Sequence, residues 1–296
     1  MQRPTPLLEA LQSGPLLCDG AMGTQLMALG LAPGACGMLW NLERPEAVQS
    51  IHQAYRTAGC RLITTNSFGG SRTALALHGA AERVVEFNRA AAELAQAAAG
   101  PDGWVLGDVG PFGGFLEPLG EMTPEELEGI FSEQIAALAS GGADAILIET
   151  MVDPAEVAVA LNAAAQVVPD LPRIVTFAFQ GTTPGTFRTL MGTSPELAVE
   201  SAREAGAQIV GANCGTGLGF DDYLALARQL VAAADGMPVI LQPNAGAPRM
   251  DGDCCHYDAT PAEFAAALAE LRAAGVRIVG GCCGTTPDHL AAAAGD

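Results

Sequence analysis

Short runs of Ile, Val and Leu recur along the chain, each closing on Gly, Asn, Asp or Cys and each followed by Ala, Glu and Leu at helical spacing. A brief apolar run bounded by turn formers reads as a buried strand, and apolar positions spaced three and four apart read as one face of a helix. Eight runs are present, at residues 16–18, 61–65, 104–107, 145–148, 173–177, 208–211, 238–242 and 277–279. The segments between them carry helix starts such as Thr123-Pro124-Glu125-Glu126 and Thr260-Pro261-Ala262-Glu263, an N-cap residue followed by proline and carboxylates. Eight βα units in about this length predict an α/β fold, a single (β/α)8 TIM barrel over residues 1–296, with nothing that reads as a linker or a second domain. The same alternation admits an open doubly wound sheet. Its dinucleotide fingerprint is missing after the first strand, where Asp19-Gly20-Ala21-Met22-Gly23-Thr24 stands, and a barrel loop explains the glycines of 107–114 equally well.

Composition narrows the chemistry. Hydrophobic residues are 49% of the chain, ample for a core, so global disorder is excluded. A net charge of −19 repels phosphate backbones and anionic lipid, so neither nucleic acid nor membrane is expected as a partner. All 14 basic residues are Arg, and a chain without Lys has no Schiff-base chemistry. No apolar stretch approaches the roughly 20 residues of a membrane helix, and the start lacks a basic segment leading into an apolar core, which gives a cytoplasmic expectation. In that compartment the 8 Cys are metal ligands, catalytic groups or core rather than disulfides.

Barrel active sites lie at the carboxyl ends of the strands. The sixth run ends Gly211-Ala212-Asn213-Cys214-Gly215 and the eighth ends Gly280-Gly281-Cys282-Cys283-Gly284-Thr285-Thr286. Adjacent thiols on a continuing strand would face opposite ways, but the flanking glycines let the chain turn so that both reach one ion. Cys214, Cys282 and Cys283, with a fourth position open, match a catalytic rather than a structural zinc site, and no C-x2-C pair of the structural kind occurs. The alternative is three small buried hydrophobes, since free Cys packs readily in cores.

The segments Asp19-Gly20-Ala21-Met22-Gly23-Thr24, Thr65-Asn66-Ser67-Phe68-Gly69-Gly70, Gly110-Pro111, Glu149-Thr150, the Asn-Cys-Gly at 213–215 and Gly280 through His289 resemble the homocysteine S-methyltransferases. That family includes betaine-homocysteine methyltransferase and the homocysteine module of cobalamin-dependent methionine synthase. The resemblance runs from the first strand to the last helix, and it implies a barrel with Zn2+ on Cys214, Cys282 and Cys283. It also implies methyl transfer to homocysteine, forming methionine. The chemistry agrees: a free thiol is only a few per cent thiolate at neutral pH, and a sulfur bound at the open zinc position loses its proton and attacks an electrophilic methyl group. Asp19 and Glu149 match family positions that bind the substrate ammonium, and backbone N–H groups of Gly20, Ala21 and Met22 form a nest for its carboxylate. Turn or N-cap duty is the alternative for both acids. Asn66, Asn213 and Asn244 also end strands, where ligand orientation and loop hydrogen bonding are both open.

The methyl donor is less legible. Leu39-Trp40-Asn41 and Arg188-Thr189-Leu190-Met191-Gly192 look closest to short bacterial betaine-homocysteine methyltransferase-like proteins. A quaternary ammonium wants an aromatic cage, yet Thr150 follows Glu149 where the animal betaine enzymes carry Tyr, leaving Trp40. A methylcorrinoid or methyltetrahydrofolate route requires a separate corrinoid protein, and S-methylmethionine is the third donor. A non-catalytic zinc-thiol protein would keep the three Cys without needing Asp19 and Glu149; a metal-free barrel lyase would use the last-strand turn for phosphate. Cys254-Cys255-His256 lies in a polar loop without a family counterpart and reads as surface or a redox-sensitive accessory. Cys18 and Cys60 read as core, His52 and His78 as helix histidines, and His289 has no assigned role.

Overall fold

All eight apolar runs form parallel strands, and in the computed structural model, which describes residues 5–251 and 254–295, they belong to one sheet. They are β1 (Leu16–Leu17), β2 (Leu62–Thr64), β3 (Trp104–Val109), β4 (Ala145–Met151), β5 (Arg173–Phe177), β6 (Ile209–Asn213), β7 (Val239–Gln242) and β8 (Ile278–Val279). Each strand pairs with its sequence neighbour from β2 to β8, and β8 pairs with β1, Leu16 opposite Ile278. Between β1 and β2 the ring closes through one bridge, Cys18 to Leu62. There Arg61 N–H donates to the Leu17 carbonyl at 2.8 Å and Asp19 N–H to the Leu62 carbonyl at 3.0 Å. The expected barrel is therefore what the chain forms.

An outer layer of helices follows the strands in turn: α1 (Pro45–Thr57), α2 (Val84–Ala99), α3 (Pro124–Ser140), α4 (Pro154–Val167), α5 (Pro195–Glu204), α6 (Phe220–Ala234), α7 (Pro261–Ala273) and α8 (Pro287–Ala294). Proline opens six of the eight, fixing φ for the first turn where its missing N–H costs nothing. The two expected N-termini are full capping boxes, Thr123 with Glu126 and Thr260 with Glu263.

Period-two alternation along the strands separates two cores. Leu17, Ile63, Val105, Ile146, Val175, Val210, Leu241 and Val279 pack in the same cluster as buried helix residues such as Val48, Phe131, Leu161 and Leu230. Their alternates, Leu16, Leu62, Trp104, Ala145, Ile174, Ile209, Ile240 and Ile278, form a separate inner cluster. A short helix before the barrel, Leu7–Ser13, adds Leu7 and Leu11 to that inner cluster, and the Arg277 guanidinium donates to the Leu11 carbonyl. Further along the same inward series the residues become polar: Thr64, Asp108, Glu149, Thr176, Asn213 and Gln242. The barrel is thus apolar at its amino end and polar at its carboxyl end, where the site forms.

Two hairpins were not foreseen, Gln180–Thr183 with Thr186–Arg188 after β5, and Arg249–Asp251 with Cys254–His256 after β7. The backbone of Cys254, Cys255 and His256 is the second strand of the latter. His256 is exposed; the side chains of Cys254 and Cys255, like residues 252 and 253, lie outside the described residues.

Candidate functional site

The three predicted thiols meet because both strands end in forced turns. Cys214 directly follows β6 with φ 47°, a left-handed conformation that costs a non-glycine residue of order 1–3 kcal/mol. Surrounding bonds hold it there: Gly215 N–H donates to the Tyr223 hydroxyl at 2.8 Å, and Asn213 Nδ2 donates to Thr150 Oγ1 at 2.7 Å. After β8, Gly281 passes so close to Thr285 that a Cβ would collide with it; its N–H donates to the Asp19 carbonyl at 2.9 Å. Cys282 N–H donates to the Pro243 carbonyl at 2.8 Å, and Thr285 closes the turn by donating N–H and hydroxyl to the Cys282 carbonyl, at 3.2 and 2.7 Å. The adjacent thiols then converge, as the glycines suggested.

Cys214 Sγ lies 3.6 Å from Cys283 Sγ, Cys282 Sγ lies 3.9 Å from Cys283 Sγ, and all three sulfurs fall within 4.8 Å of one another. A tetrahedral ion with sulfur at about 2.3 Å separates its sulfurs by about 3.8 Å, so the trio fits one zinc. It is the one such group of metal-binding side chains among the described residues. All three cysteines are half-buried, lining a cavity of about 480 Å³. Hydrogen bonds from Cys214 and then Cys282 pull the Cys283 thiol well down, whereas Cys282 is pushed up by its bonds with Cys214 and Cys283 and by burial. The cluster already favours negative charge on one sulfur. Asn213 Nδ2, 3.8 Å from Cys282 Sγ, adds a donor behind it.

Glu149 and Asp108 line the same cavity. The β4 to β5 register shifts between Ile148 and Met151, and Thr150 takes φ 61°, its N–H donating to Thr176 Oγ1 at 3.2 Å; this bulge sets the course of the chain at Glu149. Burial, then the charges of Asp19 and Cys283, raise the Glu149 carboxyl to about 8. Asp108 is 3% exposed, is pushed well up by burial and then by Glu149, and its Oδ1 has no hydrogen-bond partner. Acids in a cavity whose lining, among the described residues, holds no basic side chain make a pocket that attracts a cation.

Asp19 is tied to the barrel wall, the alternative that the sequence left open for it. Its Oδ2 accepts from Thr64 N–H at 2.8 Å and its Oδ1 from Thr64 Oγ1 at 2.8 Å, it is 2% exposed, and it does not line the cavity. Burial raises it to about 7 even so. Its carboxylate ties β1 to β2 and contributes potential to the pocket.

Gly20, Ala21 and Met22 do line the cavity, but Ala21 N–H is taken by Thr285 Oγ1 at 3.0 Å. Thr24, just beyond, also lines the cavity, and its Oγ1 is buried without a partner, which sequence reading did not single out. Asn66 also reaches the wall, yet its Nδ2 donates to Gly37 O and Asn41 Oδ1, both at 2.9 Å, so its first duty is to pin the loop after β1. Asn244 donates to the Gly215 carbonyl at 3.4 Å, a loop bond. Cys18 and Cys60 are fully buried, as expected, and His52 is buried on α1. Asp108 was missed although the third run pointed at it: the alternation of Trp104 and Leu106 makes the next inward residue 108.

A closed barrel whose mouth joins a three-thiol cluster to an acidic pocket defines a class of barrel protein able to hold a metal ion beside a site suited to a positively charged group. The chain belongs to the homocysteine S-methyltransferase family, whose profile matches residues 16–295. It is 32% identical to the methionine synthase of Mycobacterium leprae over 303 residues, 98% of this chain, and 32% identical to that of Mycobacterium tuberculosis over 300 residues, 97% of this chain. The chain spans 25% of the length of each of these relatives. In fold it is similar to the homocysteine methyltransferase MmuM from Escherichia coli in its metallated form. That match has a TM-score of 0.79 and 25% identity, over 98% of this chain and 99% of the other. This family is the one that the motifs of the sequence resemble.

Proposed function

We propose that the chain is a zinc-dependent methyltransferase that makes methionine from homocysteine, taking the methyl group from a separate corrinoid component. The convergence of the three sulfurs beside Glu149 and Asp108 carries this reading. Cys214, Cys282 and Cys283 hold the ion, and zinc so bound lowers the pKa of a further thiol ligand into the neutral range. The chain's own residues do the rest. Glu149 and Asp108 receive the substrate ammonium, with Asp19 adding negative potential behind them. The N–H groups of Gly20 and Met22 and the Thr24 hydroxyl receive its carboxylate. These contacts fix both ends of the amino acid, so that its sulfur is presented at the thiol cluster, and the apolar wall of Leu26, Leu31 and Met38 excludes water.

The donor reading rests on aromatics and on the relatives. Trp40, the ring left for a betaine cage, is 8% exposed and carries the Arg44 guanidinium 4.1 Å from its ring centre. Phe68 is the one aromatic residue lining the cavity among the described residues. A quaternary ammonium therefore lacks ring faces, while the 32% identity to methionine synthases favours a corrinoid-borne methyl. Incubating the purified chain with homocysteine and methylcobalamin, betaine or S-methylmethionine, and measuring methionine, tests this. Turnover with methylcobalamin supports the reading; turnover with betaine alone overturns the donor, and with S-methylmethionine alone makes the pocket a sulfonium site. Purified protein is expected to carry about one zinc per chain, lost when Cys214, Cys282 and Cys283 are replaced together by Ala; full occupancy in that triple variant ends the metal assignment.

A further inference from the structure

The chain returning from the second hairpin, Tyr257 to Ala259, is built against the Cys282–Cys283 turn. Gly284 has φ +79° and lies against the Tyr257 side chain, so that a Cβ at 284 would run into the ring. The ring is thereby held beside the residue that follows Cys283, and the Tyr257 side chain acts to lower the Cys283 thiol. The Cys283 carbonyl accepts from Ala245 N–H at 3.0 Å, and the Ala245 carbonyl accepts from Ala259 N–H at 3.1 Å. His289 Nε2 meets the Ala259 carbonyl at 2.9 Å, while its Nδ1 accepts from Thr286 N–H at 3.2 Å and lies 2.8 Å from the Thr286 hydroxyl. These bonds form a closed circuit from Cys283 through Ala245, Ala259 and His289 to Thr286, and along the chain back to Cys283.

His289 occupies the third position of α8, where the capping boxes of α3 and α7 carry Glu126 and Glu263. A carboxylate there only accepts. A neutral imidazole protonated on Nε2 accepts at the helix end and also donates to Ala259, which a glutamate cannot do. His289 is 8% exposed, with the Phe264 ring edge-on at 5.5 Å, so its orientation is fixed.

We propose that Tyr257 is a positioning residue of the sulfur cluster, setting the orientation and donor strength of Cys283, and that His289 holds Tyr257 there by tying Ala259 to the metal-binding turn. Groups just outside the ligands tune affinity by roughly 10–100-fold where they hydrogen-bond them. The inference rests on the reading of Cys214, Cys282 and Cys283 as metal ligands, and the test separates the two. Full-length protein is loaded with Co2+, whose sulfur-to-metal charge-transfer absorption reports on the thiolates, and zinc affinity is measured by chelator competition.

Tyr257→Phe keeps the ring over Gly284 and removes the hydroxyl. It is expected to shift the absorption to longer wavelength and weaken zinc about tenfold, with an unchanged melting temperature. His289→Glu keeps the capping box but loses the donor to Ala259, and is expected to move both readouts the same way; His289→Gln, which can accept and donate, is expected to stay near wild type. An unshifted band and an affinity within twofold for Tyr257→Phe overturns the inference. A wild-type-like His289→Glu overturns its clamp. Wild-type protein that takes up neither ion overturns the metal reading beneath both.

Discussion

Glu149, Asp108 and Asp19 hold protons in the folded chain at pH values where exposed carboxyls are ionised, because burial and mutual repulsion raise all three. A raised acid contributes stability that is complete below its unfolded value and is lost as pH rises through its folded value. Ligand-free protein should therefore lose stability from about pH 4.5 toward pH 8, and Glu149→Gln should flatten that slope; equal slopes in urea titrations at pH 5 and pH 8 would count against the buried cluster. The substrate ammonium has the opposite effect, since it favours the ionised acids. Homocysteine binding should release protons near pH 7, measured by calorimetry in buffers of different ionisation enthalpy, and its affinity should rise from pH 6 to pH 8. Glu149→Gln should weaken homocysteine by tenfold or more while leaving zinc within about twofold, as expected for the loss of one charge-assisted contact of about 1.5–3 kcal/mol. A parallel loss of zinc would place Glu149 in the metal site instead.

At the scale of elements, the strands were the most legible part of the chain. Arg173–Phe177 matches its run residue for residue. β3 and β4 each extend beyond the apolar run into the polar residues that carry chemistry, Asp108 in one and Glu149 in the other. Their extension was illegible because a polar residue ends an apolar pattern whether or not the backbone continues. The thiol triad was legible from type and spacing alone. What was hidden depends on non-local contact: that Thr64 absorbs both oxygens of Asp19, that Asn66 answers to Gly37 and Asn41, and that Tyr257 folds back on Gly284. The hairpin of Gln180–Thr183 has a first strand of fully exposed residues, which leave no alternation to read. The helix Leu7–Ser13 also escaped, though it supplies Leu11 to the inner core. Leu11→Ala should cost about 2–4 kcal/mol in denaturant unfolding and leave zinc content unchanged; a change below about 0.5 kcal/mol would mean that this helix is not a structural part of the barrel.

For the molecule as a whole, the thiols sit on the exits of β6 and β8 with β7 between them, while both hydrophobic cores lie lower in the barrel. Metal should then add to a fold that stands without it. Chelation is expected to lower the melting temperature by several degrees, the effect of a ligand held at 100 to 1,000 times its dissociation constant on a chain of this size, with far-UV circular dichroism retained at 25 °C. Collapse of the helical signal on chelation would make the site structural. The seam between β1 and β2 has a different consequence. Seven of the eight neighbouring strand pairs form ladders, but this one is joined by the Cys18 to Leu62 bridge and its flanking bonds, directly beneath the Gly20 to Thr24 segment. It is the point at which the hoop can breathe with least loss of pairing. Deuterium should enter the amides of Asp19 and Arg61 sooner than those of β6, and occupancy by the amino acid should slow that entry. Widening for a bulky carrier would then occur one strand away from β8 and the sulfurs at its exit.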